Sequence, residues 1–114
     1  MICAGIDAGS RTIKIVLVEA DTLDIVGTAT ADQGVEQEAL VTRLYDQLLA
    51  DRRLDRRAVA GVVATGYSRN LVREADTTIT EITCHACGVR HVVPDAGTVI
   101  EIGGQDSKLL RLNP

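Results

Sequence analysis

The sequence predicts an α/β fold, a mixed sheet covered by helices. Three observations carry it. Segments 2–7, 12–19 and 23–31 are rich in Ile, Val, Thr and Ala and are joined by short polar turns, as in hairpin strands. Residues 35–53 then change period: Leu40, Leu44 and Leu48, with Val41, Tyr45 and Leu49, form a helical apolar stripe. After that helix, 59–64 is apolar without alternation, the pattern of a strand buried on both faces in a parallel pair. Hairpin strands suggest an antiparallel start to the sheet, and the crossover helices that follow indicate a mixed sheet.

The first two strands flank the turn Ala8-Gly9-Ser10-Arg11, and Asp21-Thr22 leads into the third. The helix carries acids early and arginines late, which suits its dipole. The 59–64 strand runs into Thr65-Gly66-Tyr67-Ser68-Arg69-Asn70, a cluster of turn formers, and a short helix is expected over 71–75. Residues 77–80 are β-prone, and 81–93 reads as a helix closed by Pro94, Asp95 and Gly97. A last strand pair, 98–102 and 109–112, surrounds Gly103-Gly104-Gln105-Asp106-Ser107. The order is β-β-β-α-β-α-β-α, then a hairpin. A lone hairpin is marginal in water. The reading therefore sets a domain over 1–95 and takes 96–114 as the first hairpin of a second domain that the chain does not complete.

Composition narrows the function classes. A net charge of −4 leaves no electrostatic footprint for a nucleic-acid backbone. The densest basic stretch, Arg52-Arg53-Leu54-Asp55-Arg56-Arg57, is interrupted by acid and reads as a solvated helix end. No aliphatic run approaches the roughly 20 residues of a membrane span, and no signal peptide is expected at Met1-Ile2-Cys3. Three cysteines, an odd count, point to a reducing compartment, so a cytoplasmic protein is expected. Ten arginines stand against two lysines, Lys14 and Lys108, a bias that suits a GC-rich genome.

Those two lysines mark an internal echo. Ile6-Asp7-Ala8-Gly9-Ser10-Arg11-Thr12-Ile13-Lys14 aligns with Ile100-Glu101-Ile102-Gly103-Gly104-Gln105-Asp106-Ser107-Lys108. Each copy has a strand-end acid, a glycine two residues on, a small residue next and a lysine seven after the acid. Phosphate chemistry gives this pattern a reason. A tight Gly turn presents backbone N–H groups as an anion nest, and glycine admits a phosphate close to the chain. A strand-end carboxylate, Asp7 or Glu101, can hold Mg²⁺ through water, and a lysine adds a point charge for a phosphate oxygen. Two such hairpins facing each other would clamp a triphosphate. Either segment alone is equally an ordinary hairpin turn; the matched register favours phosphate. Neither is a Walker loop.

Other motifs weigh less. Cys84-His85-Ala86-Cys87 is half a zinc site without a second pair, and cysteines at i, i+3 on a helix read as structural packing. Tyr67, Arg69 and Asn70 lie in a turn after a buried strand, where α/β proteins place functional loops, yet a surface turn explains them equally well. Glu36, Glu38, Glu74 and Asp76 read as solvated helix faces. Spacing supports no Ser/His/Asp set.

Four blocks occur in order: Gly5-Ile6-Asp7-Ala8-Gly9-Ser10, Ala64-Thr65-Gly66-Tyr67-Ser68-Arg69-Asn70, Glu81-Ile82-Thr83-Cys84-His85-Ala86 and Ile102-Gly103-Gly104-Gln105-Asp106-Ser107-Lys108. Together they resemble the ATPase family of 2-hydroxyacyl-CoA dehydratase activators and benzoyl-CoA reductase ATP-hydrolysing subunits. That family belongs to the actin, sugar-kinase and heat-shock-chaperone ATPase superfamily, and the resemblance implies a ribonuclease-H-like sheet. It further implies ATP and Mg²⁺ as ligands, with Asp7, Gly9, Ser10 and Lys14 as the first phosphate loop. Gly103, Gly104 and Gln105 would be the second, with Lys108 beside it in the echo. Gln105 is the candidate for orienting an attacking water, by analogy with glutamines of other nucleotide hydrolases.

The resemblance also implies a homodimer bridged by one 4Fe-4S cluster, with hydrolysis driving a low-potential electron into an acyl-CoA dehydratase or reductase. The family's cluster cysteines and adenosine motif lie beyond Pro114, so no residue here takes those roles and the chain alone is expected to be inactive. Family members carry Asp where this chain has Glu101; the longer arm would displace a metal-bound water. Two other readings remain. One is half of a sugar or acetate kinase on the same fold, which a substrate pocket in the missing half would favour. The other is a non-catalytic interaction domain, in which replacing Lys14 would leave the binding of ATP analogues unchanged.

Overall fold

A computed structural model of the chain describes residues 1–103 and 107–113. It forms two compact units, Met1–Thr78 and Ile79–Pro114. In the first unit β1 (Ile2–Ala8), β2 (Thr12–Glu19), β3 (Ile25–Asp32), β4 (Val59–Thr65) and β5 (Thr77–Thr78) make one sheet in the order β3-β2-β1-β4-β5. The hairpin side is antiparallel, while β1 pairs with β4, and β4 with β5, in parallel. The mixed sheet expected from the alternation of periods is present.

Strand periodicity sorts the side chains onto two faces. Ala4, Ile6 and Ala8 of β1, Ile13, Ile15 and Leu17 of β2, and Val62 and Ala64 of β4 all point into the core. They meet Val41, Tyr45, Leu48 and Leu49 from the inner stripe of α1 (Gln37–Asp51). With no Phe or Trp in the chain, the core is built from aliphatic side chains and one phenol. On β4 only Val62 and Ala64 are fully buried, and their neighbours are half-buried, so the strand is less enclosed than its uniformly apolar sequence predicts.

Three local differences from the sequence reading have physical causes. Leu23, expected to open β3, has φ 63° and turns the chain, so β3 begins at Ile25. The arginines follow α1 instead of filling its last turn: Arg52 caps the helix, and Arg56 lies in the 3-10 turn Arg56–Ala58. In place of a helix over 71–75 there is one 3-10 turn, Arg69–Leu71, and an irregular return.

In that return the acids read as solvated are tied in. The Glu74 carboxylate, 5% exposed, accepts from Thr42 Oγ1 at 2.7 Å and pairs with Arg56 at 3.3 Å. Asp76 Oδ2 accepts from the Val62 N–H at 2.8 Å while the Asp76 N–H donates to the Val62 carbonyl at 2.8 Å, which extends the sheet beyond β4's own ladder. Inward packing of Val72 and Glu74 replaces the helical path.

Burial lifts the Tyr45 phenol above its ordinary value of 10.0, against an opposing pull from Arg56, whose guanidinium lies 5.6 Å from the ring centroid. The neutral phenol is favoured in the fold, so its stabilising effect is complete below pH 10 and is lost as pH rises through the elevated value. Absorbance titration at tyrosinate wavelengths is expected to show a phenol ionising above pH 10, in a step that Tyr45→Phe removes. A step removed by Tyr45→Phe that lies at or below pH 10 overturns the assignment.

The second unit contains α2 (Glu81–Val92) and the antiparallel pair β6 (Thr98–Ile102) and β7 (Ser107–Arg111). Thr80 caps α2 through its hydroxyl, which accepts from the Thr83 N–H at 3.5 Å. Ile100, Ile102 and Leu109 are exposed on one face of the hairpin. Cys84 is half-buried and Cys87 exposed, so this pair does not form the buried core cluster expected of it. Among the described residues, no helix is long and apolar enough to cross a membrane, and no three His, Cys, Asp or Glu side chains gather to hold a metal.

Candidate functional site

The register of the first hairpin explains the spacing that drew attention to it. Three residues, 9–11, join β1 to β2, and Asp7 stands directly across from Lys14. In the second hairpin Glu101 stands across from Lys108. Seven residues is therefore the interval that puts an acid and a lysine opposite each other across such turns. The second lysine is engaged: its Nζ lies 3.5 Å from Glu81 and 3.8 Å from Glu101. Lys14 is exposed on β2, between the buried Ile13 and Ile15. Gly103 is exposed at the end of β6, whereas Gly104 and Gln105 lie outside the described residues.

At the first turn, carbonyls and amides are treated differently. The Gly9 N–H closes the turn by donating to the Thr12 carbonyl at 2.9 Å, and a Cβ on Gly9 would sit 3.0 Å from that same oxygen. Gln33, just past β3, holds the turn from outside. Its Nε2 donates to the Gly9 carbonyl and its backbone N–H to the Arg11 carbonyl, both at 2.8 Å. Among the described residues no acceptor meets the N–H of Ser10 or Arg11. A turn with its outer carbonyls tied back leaves successive amides open to an acceptor.

The parallel neighbour completes the surroundings of Asp7. Thr65 lies opposite Asp7 in the β1–β4 register, and its Oγ1 is buried without a hydrogen-bond partner. Gly66 follows with φ +98°, and a Cβ there would fall 2.5 Å from Asp7 Oδ1 and 2.6 Å from the Ala8 carbonyl. Only glycine lets the β4 turn lie against the Asp7 carboxylate. The Ser68 N–H then donates to the Ala8 carbonyl at 2.8 Å, and Arg69 Nη1 donates to the Gly66 carbonyl at 3.2 Å. Arg69 thus braces the turn from within.

This half-site is made of hard oxygens, the Asp7 carboxylate and the Thr65 hydroxyl, beside open amides. Such a set suits a hydrated Mg²⁺ carried by a phosphate. Of the three cysteines, Cys3 is on β1, and Cys84 and Cys87 are together on α2. The sequence singles out Asp7, Gly9, Ser10 and Lys14 but not Gln33 and Thr65, which strand register brings to the same turn. Gly66 was visible as a turn former, though not as the residue that admits Asp7.

Comparisons with known proteins bear on the family and the fold. The pattern of the BadF/BadG/BcrA/BcrD ATPase family matches residues 4–113. The activator of lactoyl-CoA dehydratase from Anaerotignum propionicum is 39% identical over 113 residues, covering 99% of this chain and 43% of that protein. The (R)-2-hydroxyglutaryl-CoA dehydratase activating ATPase of Acidaminococcus fermentans is 33% identical over 115 residues, covering 95% and 41%. A solved structure of the activator of the 2-hydroxyisocaproyl-CoA dehydratase from Clostridium difficile, with bound ADPNP, superposes with a TM-score of 0.86 at 36% identity. It is matched over 99% of this chain and 41% of its own. The ribonuclease-H-like arrangement expected from the resemblance is thereby established, and the chain spans about two-fifths of the length of these relatives.

Proposed function

Because the chain belongs to the BadF/BadG/BcrA/BcrD ATPase family, we propose that it is the N-terminal part of an ATP-hydrolysing activator that drives a low-potential electron into an acyl-CoA dehydratase or benzoyl-CoA reductase. The observation that carries the reading is the first turn, with both outer carbonyls held by Gln33 and the Ser10 and Arg11 amides open beside Asp7. What a relative binds supports it, since one activator was solved with ADPNP.

In this reading Gly9 and Ser10 receive phosphate oxygens through the backbone, and Lys14 adds a flexible positive charge. Gly103, Gly104, Gln105 and Lys108 form the second phosphate loop, and Gln105 orients the attacking water. Asp7 and Glu101 would hold Mg²⁺ through water; bound there, the ion would offset the negative charge of the β- and γ-phosphates. The second loop starts from a different electrostatic state. Lys108 is already shared by Glu81 and Glu101, so a phosphate must draw it away from carboxylates. The cluster, the homodimer and the dehydratase contact are assigned to no residue of this chain.

Titrating the 114-residue chain with a non-hydrolysable ATP analogue and Mg²⁺ tests the reading. Lys14→Met is expected to weaken binding about tenfold or more, the worth of one charged hydrogen bond. Lys14 is exposed, so the fold is untouched. The unsubstituted chain is expected to bind the analogue without turning over ATP. Equal affinity of wild type and Lys14→Met overturns the phosphate assignment, and magnesium-dependent turnover by the chain overturns the need for a second half.

A further inference from the structure

Gln33 makes no appearance in any motif of the chain, yet it meets the phosphate turn twice. It follows the final β2–β3 pair, Thr12 with Asp32, so its N–H extends that ladder to the Arg11 carbonyl. Its side chain then folds back so that Nε2 reaches the Gly9 carbonyl. Two carbonyls of a three-residue turn are thus fixed from one residue, and fixing a carbonyl fixes the direction of the amide that shares its peptide plane. The peptide of Gly9 carries the Ser10 N–H, one of the two amides left open.

The other end of the amide is unusual. Gln33 Oε1 is buried and has no hydrogen-bond partner, a costly state for a carbonyl oxygen. A buried oxygen without a donor, next to open amides, can take a donor that arrives with a ligand, such as a water of hydration.

We infer that Gln33 is a positioning residue of the phosphate site, aiming the Ser10 amide through the Gly9 carbonyl and offering Oε1 to a water that enters with the phosphate. The inference rests on the phosphate reading given above. It also accounts for why the third strand ends where it does relative to the turn: one residue earlier or later, the side chain would project to the opposite face of the strand.

Inorganic triphosphate with Mg²⁺, titrated into the isotope-labelled 114-residue chain and followed by amide NMR, is the test. In wild type the Ser10 and Arg11 amides and the Gln33 side-chain NH₂ are expected to shift together. Gln33→Met, near in shape but without a donor, is expected to weaken binding about fivefold to tenfold, on the scale of one lost hydrogen bond. Its Ser10 response should shrink while the signals of core strands stay in place. Gln33→Asn keeps the amide but is one methylene too short, and is expected to behave like Gln33→Met, which guards against a folding artefact in either variant. Wild-type shifts at Ser10 and Arg11 with unchanged affinity and unchanged Ser10 response in both variants overturn the role of Gln33 alone. No wild-type shift at Ser10 or Arg11 overturns the phosphate reading and this inference with it.

Discussion

Gly66→Ala is expected to destabilise the first unit by about 3 kcal/mol or more. A non-glycine residue at φ +98° costs on the order of 1–3 kcal/mol in backbone strain. The new Cβ would also stand 2.5 Å from Asp7 Oδ1 and 2.6 Å from the Ala8 carbonyl. The second contact is with backbone in the central strand, which cannot swing aside, so β1 or the turn must move. For a domain of this size the thermal midpoint should fall by roughly 10–20 °C. Nucleotide affinity should fall with it, since the Asp7 carboxylate is the first atom displaced. A Gly66→Ala chain that melts with wild type would show that the turn relaxes without strain, and the close approach would lose its meaning.

Ile6→Ala should cost a similar amount for a different reason. Ile6 is 1% exposed, in the middle of the central strand, and packs in the same cluster as Ile13, Leu17 and Val41. Deleting three carbons there removes transfer energy and leaves a cavity, together about 2–5 kcal/mol. Ile6→Val, losing one methylene, should cost about 0.5–1.5 kcal/mol. Denaturant titration of the series gives the ratio. Equal small losses in both variants would mean that the site collapses around the gap and that this aliphatic core is more plastic than its burial indicates.

The sheet was legible because its signals are local. Alternation in β1 and β2, the stripe of α1 and the apolar β4 each follow from residues within one element. Even the acid-to-lysine interval of the two hairpins could be counted from the chain. What escaped depends on partners distant in sequence. Glu74 looks like any exposed helix acid until Thr42 and Arg56 are known to converge on it. Asp76 becomes part of the sheet only through Val62, and Thr65 becomes notable only when β4 aligns with β1 opposite Asp7. Leu23 is a fair strand residue by composition, and its left-handed backbone is dictated by the turn that returns the chain to β3. Gln33 offered no signal at all, since a glutamine in a polar loop is the commonest of readings.

The central strand has one partner reached through a three-residue turn and another reached through the whole of β2, β3 and α1. Loop-closure entropy makes these two pairings unequal in speed: the hairpin closes early, and the parallel pairing with β4 must wait for a much larger loop to close. Asp7 and the open turn are therefore assembled with the hairpin, whereas Thr65 and Gly66 reach them only with β4. The chemistry expected of the site thus appears at the end of assembly, when the slowest contact is made. A substitution that weakens β4 would leave Asp7, Gly9, Ser10 and Lys14 on their hairpin without Thr65 and Gly66 beside them.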